Sequence, residues 1–383
     1  MNFLNTFASL FSNFGNLTWQ MVVMWAIGAL LIYLAIAKKM EPSLLLPMGF
    51  GAILVNLPLS GAITQGDTVG PISALFDAGM SNELFPLLLF IGIGAMIDFG
   101  PLLEKPWLML FGAAAQFGIF FTLFLAGFFF DLKDAASIAV IGAADGPTAI
   151  FVANTLNSQY LGAIMVAAYS YMALVPVIIP LVVKLTCTKK ELMINMKEQD
   201  KLYPDKLNIK NMRAVKIIFP IAVTTIVAIF VPTAVPLVGM LMFGNLIKEI
   251  GADTSRLFNV ASNGLMNAAT IFLGLCVGAT MTVDAFLNLQ TLGIIVGGFC
   301  AFALSIASGI LMVKIWNLFS KKKINPLIGA TGLSAVPMAS RVCNGISTKY
   351  DPKNHVLNYC MASNIAGVVG SAVAAGVLIS FLG

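Results

Sequence analysis

Long apolar segments, separated by short polar loops, recur along the whole of this sequence. Many of them approach the length of about 20 residues that a membrane-spanning helix needs. A soluble protein could not cover so much apolar surface, because only 10% of the residues are charged and 59% are hydrophobic. The sequence therefore predicts a polytopic membrane protein built from α-helices. The apolar segments are 20–37, 43–57, 82–99, 107–130, 135–155, 160–185, 213–232, 234–250, 262–283, 289–318, 324–344 and 356–382.

The positions of the basic residues limit how these segments can cross a membrane. A basic linker at 187–212 separates two sets of apolar segments. If every segment crossed, this linker would lie on the opposite side from Lys38 and Lys39, against the rule that basic loops stay in the cytoplasm. We therefore expect that 135–155 and 324–344 enter the membrane and return to the side from which they came, which leaves about ten crossings.

The two halves of the chain share short sequence words. GAADGPTAIFV at 142–152 returns as GATGLSAVPMASRV at 329–342, within the two segments expected to be re-entrant. With this topology the copies enter from opposite sides, which predicts two inverted repeats, 1–186 and 213–383. The predicted fold class is an all-α polytopic membrane protein with two inverted repeats, about ten crossings and two re-entrant broken segments. Such breaks are typical of the midplane ion site of a transporter, because broken helices free backbone groups to bind ions.

Polar residues gather at the two breaks. The first contains Asp145 and Thr148 beside a Gly-Pro pair, and an ionised Asp at the centre of a bilayer costs about 2.5–3.5 kcal/mol. The second contains Asn325, Gly329 and Ser334. Oxygen donors with a single carboxylate suit a hard cation such as Na⁺, or a proton, and suit zinc or copper poorly. These residues are therefore candidate Na⁺ ligands, although close helix packing is an alternative explanation for Ser334.

Several other polar residues allow two interpretations. Tyr169, Tyr171 and Tyr359 could deliver protons, or they could form hydrogen bonds between helices. Arg341 could bind a carboxylate that arrives from the cytosol, or it could anchor the chain at the cytoplasmic surface. We expect His355 to be a solvated loop residue. The basic residues are spread over short loops, which argues against a nucleic-acid-binding protein. Three further polar residues in late segments are candidate cavity liners: Ser305, Ser363 and Asn364.

Four stretches of the sequence resemble a known family. They are EPSLLLPMGFGAILVN (41–56), IGAADGPTAIF (141–151), YSYMALVP (169–176) and INPLIGATGLSAVPMASRV (324–342). With the rest of the chain they resemble the β subunit of the sodium-pumping, biotin-dependent decarboxylases, which act on oxaloacetate, methylmalonyl-CoA, glutaconyl-CoA or malonate. The resemblance implies a membrane subunit that decarboxylates carboxybiotin, consumes a proton and exports Na⁺. The involvement of biotin follows from the family alone.

The resemblance also implies which residues handle sodium. Asp145 in the ADGPT motif would be the sodium-binding and coupling carboxylate. Asn325, Gly329 and Ser334 fall in the second motif, which the family uses for sodium binding and proton movement.

Other residues would serve the decarboxylation of carboxybiotin. Arg341 ends the second motif and would lie, with Asn325, on the side where carboxybiotin arrives. The motif tyrosine could be Tyr169 or Tyr171, and the doublet leaves both open. Ser340 stands where the family pattern suggests Ala, a departure that changes none of these roles.

Partners are expected because the chain contains no AMKM-like biotinylation motif. The resemblance implies a biotin carrier protein, a carboxyltransferase subunit and a small membrane subunit of the gamma or delta type. It also implies several copies of this chain in one complex, in the bacterial cytoplasmic membrane. The linker at 187–212 is either a docking surface for a partner or an ordinary solvated loop.

A free-standing Na⁺-coupled carboxylate symporter is the alternative function. Such a transporter would share the inverted repeats and the broken helices, so only the long motif resemblance separates the two. A purely structural anchor is disfavoured, because an anchor needs no carboxylate within the membrane.

Overall fold

The computed structural model describes residues 12–204 and 209–383 of the chain. Within these residues the regular structure is helical, and the one β-pairing is an isolated bridge between Gln65 and Thr68. The predicted all-α fold is therefore confirmed. The predicted first repeat and linker also include residues 1–11 and 205–208, which lie outside the described residues.

The described part of the chain forms α-helices of very different lengths. Those before the linker are α1 (Trp19–Ala37), α2 (Pro42–Val55), α3 (Pro71–Gly79), α4 (Leu84–Met96), α5 (Gly100–Glu104), α6 (Met109–Ala115), α7 (Phe117–Ala126), α8 (Leu132–Ala139), α9 (Gly146–Thr155) and α10 (Leu161–Thr186). Those from the linker onwards are α11 (Lys189–Leu192), α12 (Met196–Leu202), α13 (Met212–Phe230), α14 (Val235–Ile250), α15 (Ser255–Asn259), α16 (Met266–Ala279), α17 (Val283–Phe286), α18 (Leu289–Phe319), α19 (Met338–Tyr350) and α20 (Leu357–Leu382).

Many of these helices are long and apolar enough to cross a membrane. Among residues 12–204 and 209–383, eight stretches qualify by length and composition: Trp19–Ala37, Pro106–Ala126, Leu161–Thr186, Met212–Phe230, Pro232–Ile250, Ala252–Ala279, Leu289–Phe319 and Leu357–Leu382. The pair α3 and α4, bent by 63°, could form a ninth, and α2 is a shorter apolar helix. These stretches overlap the segments that we expected to cross. The class of polytopic membrane protein is confirmed, whereas the number of crossings and the inverted repeats stay predictions.

The chain divides into two compact units. The residues of unit 1 are Met1–Pro86 and Asn267–Gly293, and those of unit 2 are Leu87–Met266 and Ile294–Gly383. Within unit 1, α1 and α2 pack closely because Gly28 faces Gly49, and a Cβ added to Gly28 would lie only 2.7 Å from the Gly49 carbonyl oxygen. Small residues allow helix backbones to approach in this way in a membrane. Unit 2 contains the linker and both predicted breaks.

The first break lies in unit 2 at the DGP residues. After α8 the chain forms a 3₁₀ turn, Val140–Ala143, and then turns at Ala144, whose φ of 53° is left-handed. A new helix, α9, follows Asp145 and carries Gly146 and Pro147 in its first turn. Proline is tolerated at this position because its missing N–H would have no partner within the helix. The Gly-Pro pair thus starts a helix and leaves Asp145 at its N-terminus.

The second break lies in the same unit and contacts the first. Asn325 caps a 3₁₀ turn, Pro326–Thr331, and an irregular stretch then leads to α19. The backbone N–H of Ser334, in this irregular stretch, donates to the carbonyl of Ala143 at 3.0 Å. Because Ala143 precedes the DGP residues, this bond brings the two breaks together.

Candidate functional site

The carboxylate of Asp145 is the centre of the site. Only 4% of Asp145 is exposed to solvent. It is the N-cap residue of α9, and its Oδ1 accepts a hydrogen bond from the backbone N–H of Thr148 at 3.1 Å. Carboxylates are favoured at this position, because they accept the free N–H groups of the first turn and face the positive end of the helix dipole. The break thus supplies a polar environment for a charge among apolar helices.

Two serine hydroxyls complete the coordination of this carboxylate. Ser334 Oγ donates to Asp145 Oδ2 at 2.6 Å, and Ser371 Oγ donates to the same oxygen at 2.7 Å. The two hydroxyl oxygens lie 3.3 Å apart. Hydrogen bonds of this length to an ionised acceptor are about twice as strong as bonds between neutral groups. Three separate elements, namely α9, the second break and α20, therefore meet at one oxygen atom.

Ser371 is a member of the site that the sequence analysis missed. It lies in α20, an apolar helix with no motif that marks the residue. A signal was present, because Ser371 follows the candidate cavity liner Asn364 by seven residues, which is two helical turns and hence the same helix face. The two residues do share a site, since Asn364 contacts the neighbour of Ser334, as described below.

Two buried hydroxyl groups next to Asp145 have no hydrogen-bond partner among the described residues. They belong to Thr148 and Tyr169. The Tyr169 ring packs on Gly146, where an added Cβ would lie 2.6 Å from the ring atoms Cε1 and Cζ. Leaving a buried hydroxyl unpaired costs about 1–3 kcal/mol, so such groups call for a ligand or a water molecule. Thr148 contacts the Asp145 carboxylate through its backbone N–H, and the Tyr169 ring packs on Gly146, the residue after Asp145.

The donor set fits a small monovalent cation. It offers one carboxylate together with the hydroxyl oxygens of Ser334, Ser371 and Thr148, all of them hard oxygen ligands. A single negative charge balances one Na⁺. The described residues contain no group of three or more His, Cys, Asp or Glu side chains that could hold a metal ion, as a zinc site would require.

Amide side chains hold the backbone beside Ser334 in place. Asn364 Nδ2 donates to the carbonyl of Leu333, and Asn364 Oδ1 accepts from Ser340 Oγ at 3.3 Å. Gln116 Nε2 lies 3.4 Å from the carbonyl oxygen of Gly332. These bonds fix the irregular stretch that carries Ser334, which leaves its hydroxyl aimed at Asp145.

Other predicted sodium ligands do not contact Asp145 in this structure. Asn325 Nδ2 donates to the carbonyls of Leu192 and Ile194 in the linker, at 2.9 and 3.1 Å. Gly329 packs against the backbone of Gly309, and a Cβ on either residue would overlap the other. In this structure Asn325 thus contacts the linker and Gly329 contacts Gly309, while their roles in sodium binding stay predictions.

The remaining predicted residues lie in different surroundings. Tyr171 OH donates to the carbonyl of Ile295 in α18, and Tyr359 OH donates to Asp200 Oδ2 in the linker at 2.5 Å. Arg341, in the first turn of α19, is exposed and forms no ion pair with the part of the chain that the structure describes. Among the candidate cavity liners, Ser305 and Ser363 have buried hydroxyls without a partner in the described residues.

These features define a class: an all-α polytopic membrane protein with a buried carboxylate, bonded by two serine hydroxyls, at the meeting point of two chain breaks. Comparison with known proteins is more specific. A sequence profile of the Na⁺-transporting oxaloacetate decarboxylase beta subunit matches residues 20–382. The chain belongs to this family of decarboxylase beta subunits, which are membrane components of Na⁺-transporting enzymes.

Individual relatives of the chain bear different substrate names. Methylmalonyl-CoA decarboxylase subunit beta of Propionigenium modestum is 45% identical over 394 residues, which cover 97% of each chain. Glutaconyl-CoA decarboxylase subunit beta of Acidaminococcus fermentans is 44% identical, with 97% of this chain and 96% of the relative covered. Oxaloacetate decarboxylase beta chain of Klebsiella pneumoniae is 42% identical, with 94% of each covered. The similarity thus supports the decarboxylase family but does not single out one substrate.

Proposed function

We propose that this chain decarboxylates carboxybiotin, which a partner delivers, and couples this reaction to the export of Na⁺. The observation that carries the proposal is the Asp145 carboxylate held by the hydroxyls of Ser334 and Ser371 at the meeting point of the two breaks. A buried site with one carboxylate and several hydroxyls binds Na⁺ or a proton in turn. Membership of a Na⁺-transporting decarboxylase family supports both parts of the proposal.

Sodium would bind at Asp145 with little movement of the oxygen atoms. A hydroxyl group has one hydrogen to donate and two lone pairs. Both hydroxyls, those of Ser334 and Ser371, lie within hydrogen-bond distance of Asp145 Oδ2. Rotation of the two hydroxyls would turn lone pairs towards an incoming cation, and Thr148 Oγ1, which has no partner among the described residues, would add a further oxygen.

The decarboxylation step supplies the driving force and consumes a proton. Cleavage of the bond between the biotin nitrogen and the carboxyl carbon leaves the electron pair on nitrogen, which takes up a proton as CO₂ leaves. We assign the attraction of the incoming carboxylate to Arg341, which is exposed. Asn325 would lie on the same side, where carboxybiotin arrives. Tyr169 and Tyr171 are the candidate proton carriers. Of the two, Tyr169 has a contact beside Asp145, because its ring packs on Gly146.

Coupling requires that Na⁺ does not leak. Moving one Na⁺ outward against 100 mV costs about 2.3 kcal/mol before any concentration term. We propose that loss of the carboxylate changes the charge near the breaks and favours a state in which the Asp145 site opens outward. A proton from the outside would then replace Na⁺ on the carboxylate. Within this proposal the two inverted repeats, 1–186 and 213–383, move relative to one another, as in other transporters with such repeats.

The chain would act as one subunit of a larger membrane complex. The partners would be a biotin carrier protein, a carboxyltransferase subunit and a small gamma- or delta-type membrane subunit. Several copies of this chain would assemble in the complex, in the bacterial cytoplasmic membrane. The family's printed names support a multisubunit enzyme in general.

The test is sodium transport by the purified complex in proteoliposomes. ²²Na⁺ movement is followed during decarboxylation of oxaloacetate, methylmalonyl-CoA, glutaconyl-CoA and malonate. We expect one substrate to drive transport in the wild type and no transport in Asp145→Asn. Asp253→Asn, a change at an exposed acidic residue, is the control and should transport normally. Normal transport by Asp145→Asn would refute the sodium site.

The symporter alternative makes a different prediction. This chain alone, without a biotinylated partner, would then take up a dicarboxylate together with Na⁺. Uptake by the isolated chain, combined with consumption of substrate but no Na⁺ movement by the full complex, would favour the symporter.

A further inference from the structure

The linker between the two predicted repeats is packed onto unit 2 over its described part. Glu191 in α11 forms an ion pair with Lys314 of α18 at 3.0 Å. Asn195 Nδ2 donates to Asp351 Oδ2 at 3.0 Å, and Met196 is fully buried. Of the two interpretations of the linker, a wholly solvated loop is thus excluded for residues 187–204. One face of the linker is part of the protein core.

Asp200 in α12 joins the linker to three other elements. Its Oδ2 binds Lys105, which follows α5, and accepts from Tyr359 OH of α20 at 2.5 Å. Its Oδ1 lies 2.8 Å from Nζ of Lys322, which precedes the second break. Lys105 Nζ also lies 4.4 Å from the centre of the Tyr359 ring, a favourable cation–π distance. Asp200 thereby fixes the position of Lys105 and Tyr359.

A cavity of about 480 Å³ lies beside this cluster. This volume is within the range of pockets that hold small organic ligands. Lys105, Lys197 and His355 contribute basic groups to its lining, and Leu108 and Leu357 contribute apolar surface. The linker forms one wall, through Lys197 and Asp200. The lining therefore combines basic groups with an apolar surface.

The basic side chains around the cavity exceed the acids by one. Lys105, Lys197 and Lys322, which is paired with Asp200, are the lysines, and Glu104 and Asp200 are the acids. Lys197 is exposed and has no ion pair within the described residues. His355 is exposed as well. Two basic groups of the lining, those of Lys197 and His355, are therefore accessible to a ligand.

The cavity is also next to the helix that carries Arg341. Asn344 lines the cavity and lies on α19, three residues after Arg341. Residues three apart on a helix are neighbours on one face. A group leaving the cavity along this face would meet Arg341 and then the second break.

We propose that this cavity, with the linker as one wall, is a reception site for an anionic group on an apolar stem of small-molecule size. The identity of this group rests on the proposed function: it is the carboxylated prosthetic group of the carrier, which binds here before it reaches Arg341. Lys197 provides the accessible charge, and Asp200 is a positioning residue that acts through Lys105. The linker thus carries part of a ligand site in addition to joining the two halves.

The only histidine of the chain gives a readout that is independent of turnover. The purified complex is treated with diethyl pyrocarbonate, and carbethoxylation of His355 is followed by mass spectrometry with and without d-biotin. This probe has the ring and apolar stem of the prosthetic group, and its single carboxylate is at the end of the stem. We expect millimolar d-biotin to slow the modification at least threefold and in a saturable way, whereas acetate at the same concentration should not. No slowing, or equal slowing by acetate, would overturn the proposal.

Two matched variants locate the effect. Lys197→Glu, at the cavity wall, should abolish the protection of His355, whereas Lys201→Glu, an exposed residue of the same helix outside the lining, should leave it intact. Asp200→Asn should raise the d-biotin concentration needed for half protection, because Lys105 loses its partner. Protection that survives Lys197→Glu would refute the assignment.

Failure of this inference is distinguishable from failure of the proposed function. The footprint needs neither decarboxylation nor Na⁺ movement, so it tests the cavity alone. In a complex that pumps Na⁺, substrate added in Na⁺-free buffer should protect His355 without free biotin, because the carboxylated carrier cannot be discharged. Pumping without this protection would refute the cavity and keep the pump.

Discussion

Asp145 and Ser334 are 189 residues apart in the chain, yet Ser334 Oγ donates to the Asp145 carboxylate at 2.6 Å. The two residues occupy the two sequence words from which we predicted an inverted repeat. Their contact brings the two breaks together at the Asp145 carboxylate. Residues proposed to bind the cation and residues that hold the breaks in place should respond differently to substitution.

Ser371→Ala should weaken sodium binding. The change removes one of the two hydroxyl donors to Asp145 Oδ2, and a hydrogen bond to a charged group contributes about 1.5–3 kcal/mol. We expect the Na⁺ concentration for half-maximal decarboxylation to rise by about tenfold or more. Ser380→Ala, at an exposed position of the same helix, is the control. An unchanged sodium response in Ser371→Ala would remove Ser371 from the site.

The two tyrosines should differ when each is replaced by Phe. Tyr169→Phe removes a hydroxyl that has no partner in the described residues, so we expect unchanged thermal stability and a fall in turnover of about 100-fold if this group transfers the proton. Tyr171→Phe removes the bond to the Ile295 carbonyl, so stability should fall by about 1 kcal/mol. Loss of turnover in Tyr171→Phe alone would transfer the proton role to Tyr171.

Asn325→Ala should loosen the linker. The change leaves the carbonyls of Leu192 and Ile194 without their amide donor, which costs about 1–3 kcal/mol for buried groups. We expect faster trypsin cleavage at Lys189 and Lys190. Asn288→Ala is the control, because Asn288 caps a helix through similar bonds but in unit 1. Equal cleavage of the two variants would show that Asn325 does not anchor the linker.

Asp200→Asn should destabilise the complex at neutral pH but not in strong acid. Burial alone would raise the pKa of Asp200, but hydrogen bonds from two lysines and a tyrosine lower it more, so its pKa lies below the ordinary value of 3.8. A carboxyl with a lowered pKa in the folded state stabilises the fold above its ordinary pKa and loses this effect as the pH falls through the folded pKa.

Thermal unfolding in detergent measures this effect. The variant should unfold at a lower temperature than the wild type by the same amount at pH 5 and pH 8, since Asp200 is ionised at both. The difference should shrink as the pH approaches 3. Glu198→Gln, an exposed change in the same helix, should have little effect at any pH. A difference that grows in acid would contradict the assignment of the ion pairs.

The sequence was sufficient to predict the helical class, the apolar segments and the break at Asp145, because these depend on local properties. An apolar stretch of about 20 residues has few possible structures in lipid other than a membrane-spanning helix. A Gly-Pro pair after an Asp predicts a helix start. The pairing of Asp145 with Ser334 was accessible only through the shared words of the two halves.

Other features depend on tertiary contacts that no local pattern encodes. Ser371 lies in a largely apolar helix, and its contact with Asp145 follows from how α20 packs beside the breaks. The amide of Asn325 has the chemistry of a cation ligand, but the packed linker provides two carbonyl acceptors for it. The linker itself is polar enough to be read as a solvated loop, and its buried Met196 becomes evident only in the folded protein.

The serine from the last helix imposes an order on biosynthesis. Asp145 and Ser371 are 226 residues apart, so at about 5–20 residues per second the ribosome needs about 10–45 s to make the second after the first. During this interval α9 has been made, but one hydroxyl that solvates its carboxylate does not yet exist. The nascent chain must keep the Asp145 carboxylate in contact with water or other polar groups until α20 arrives, because a bare charge in lipid is costly.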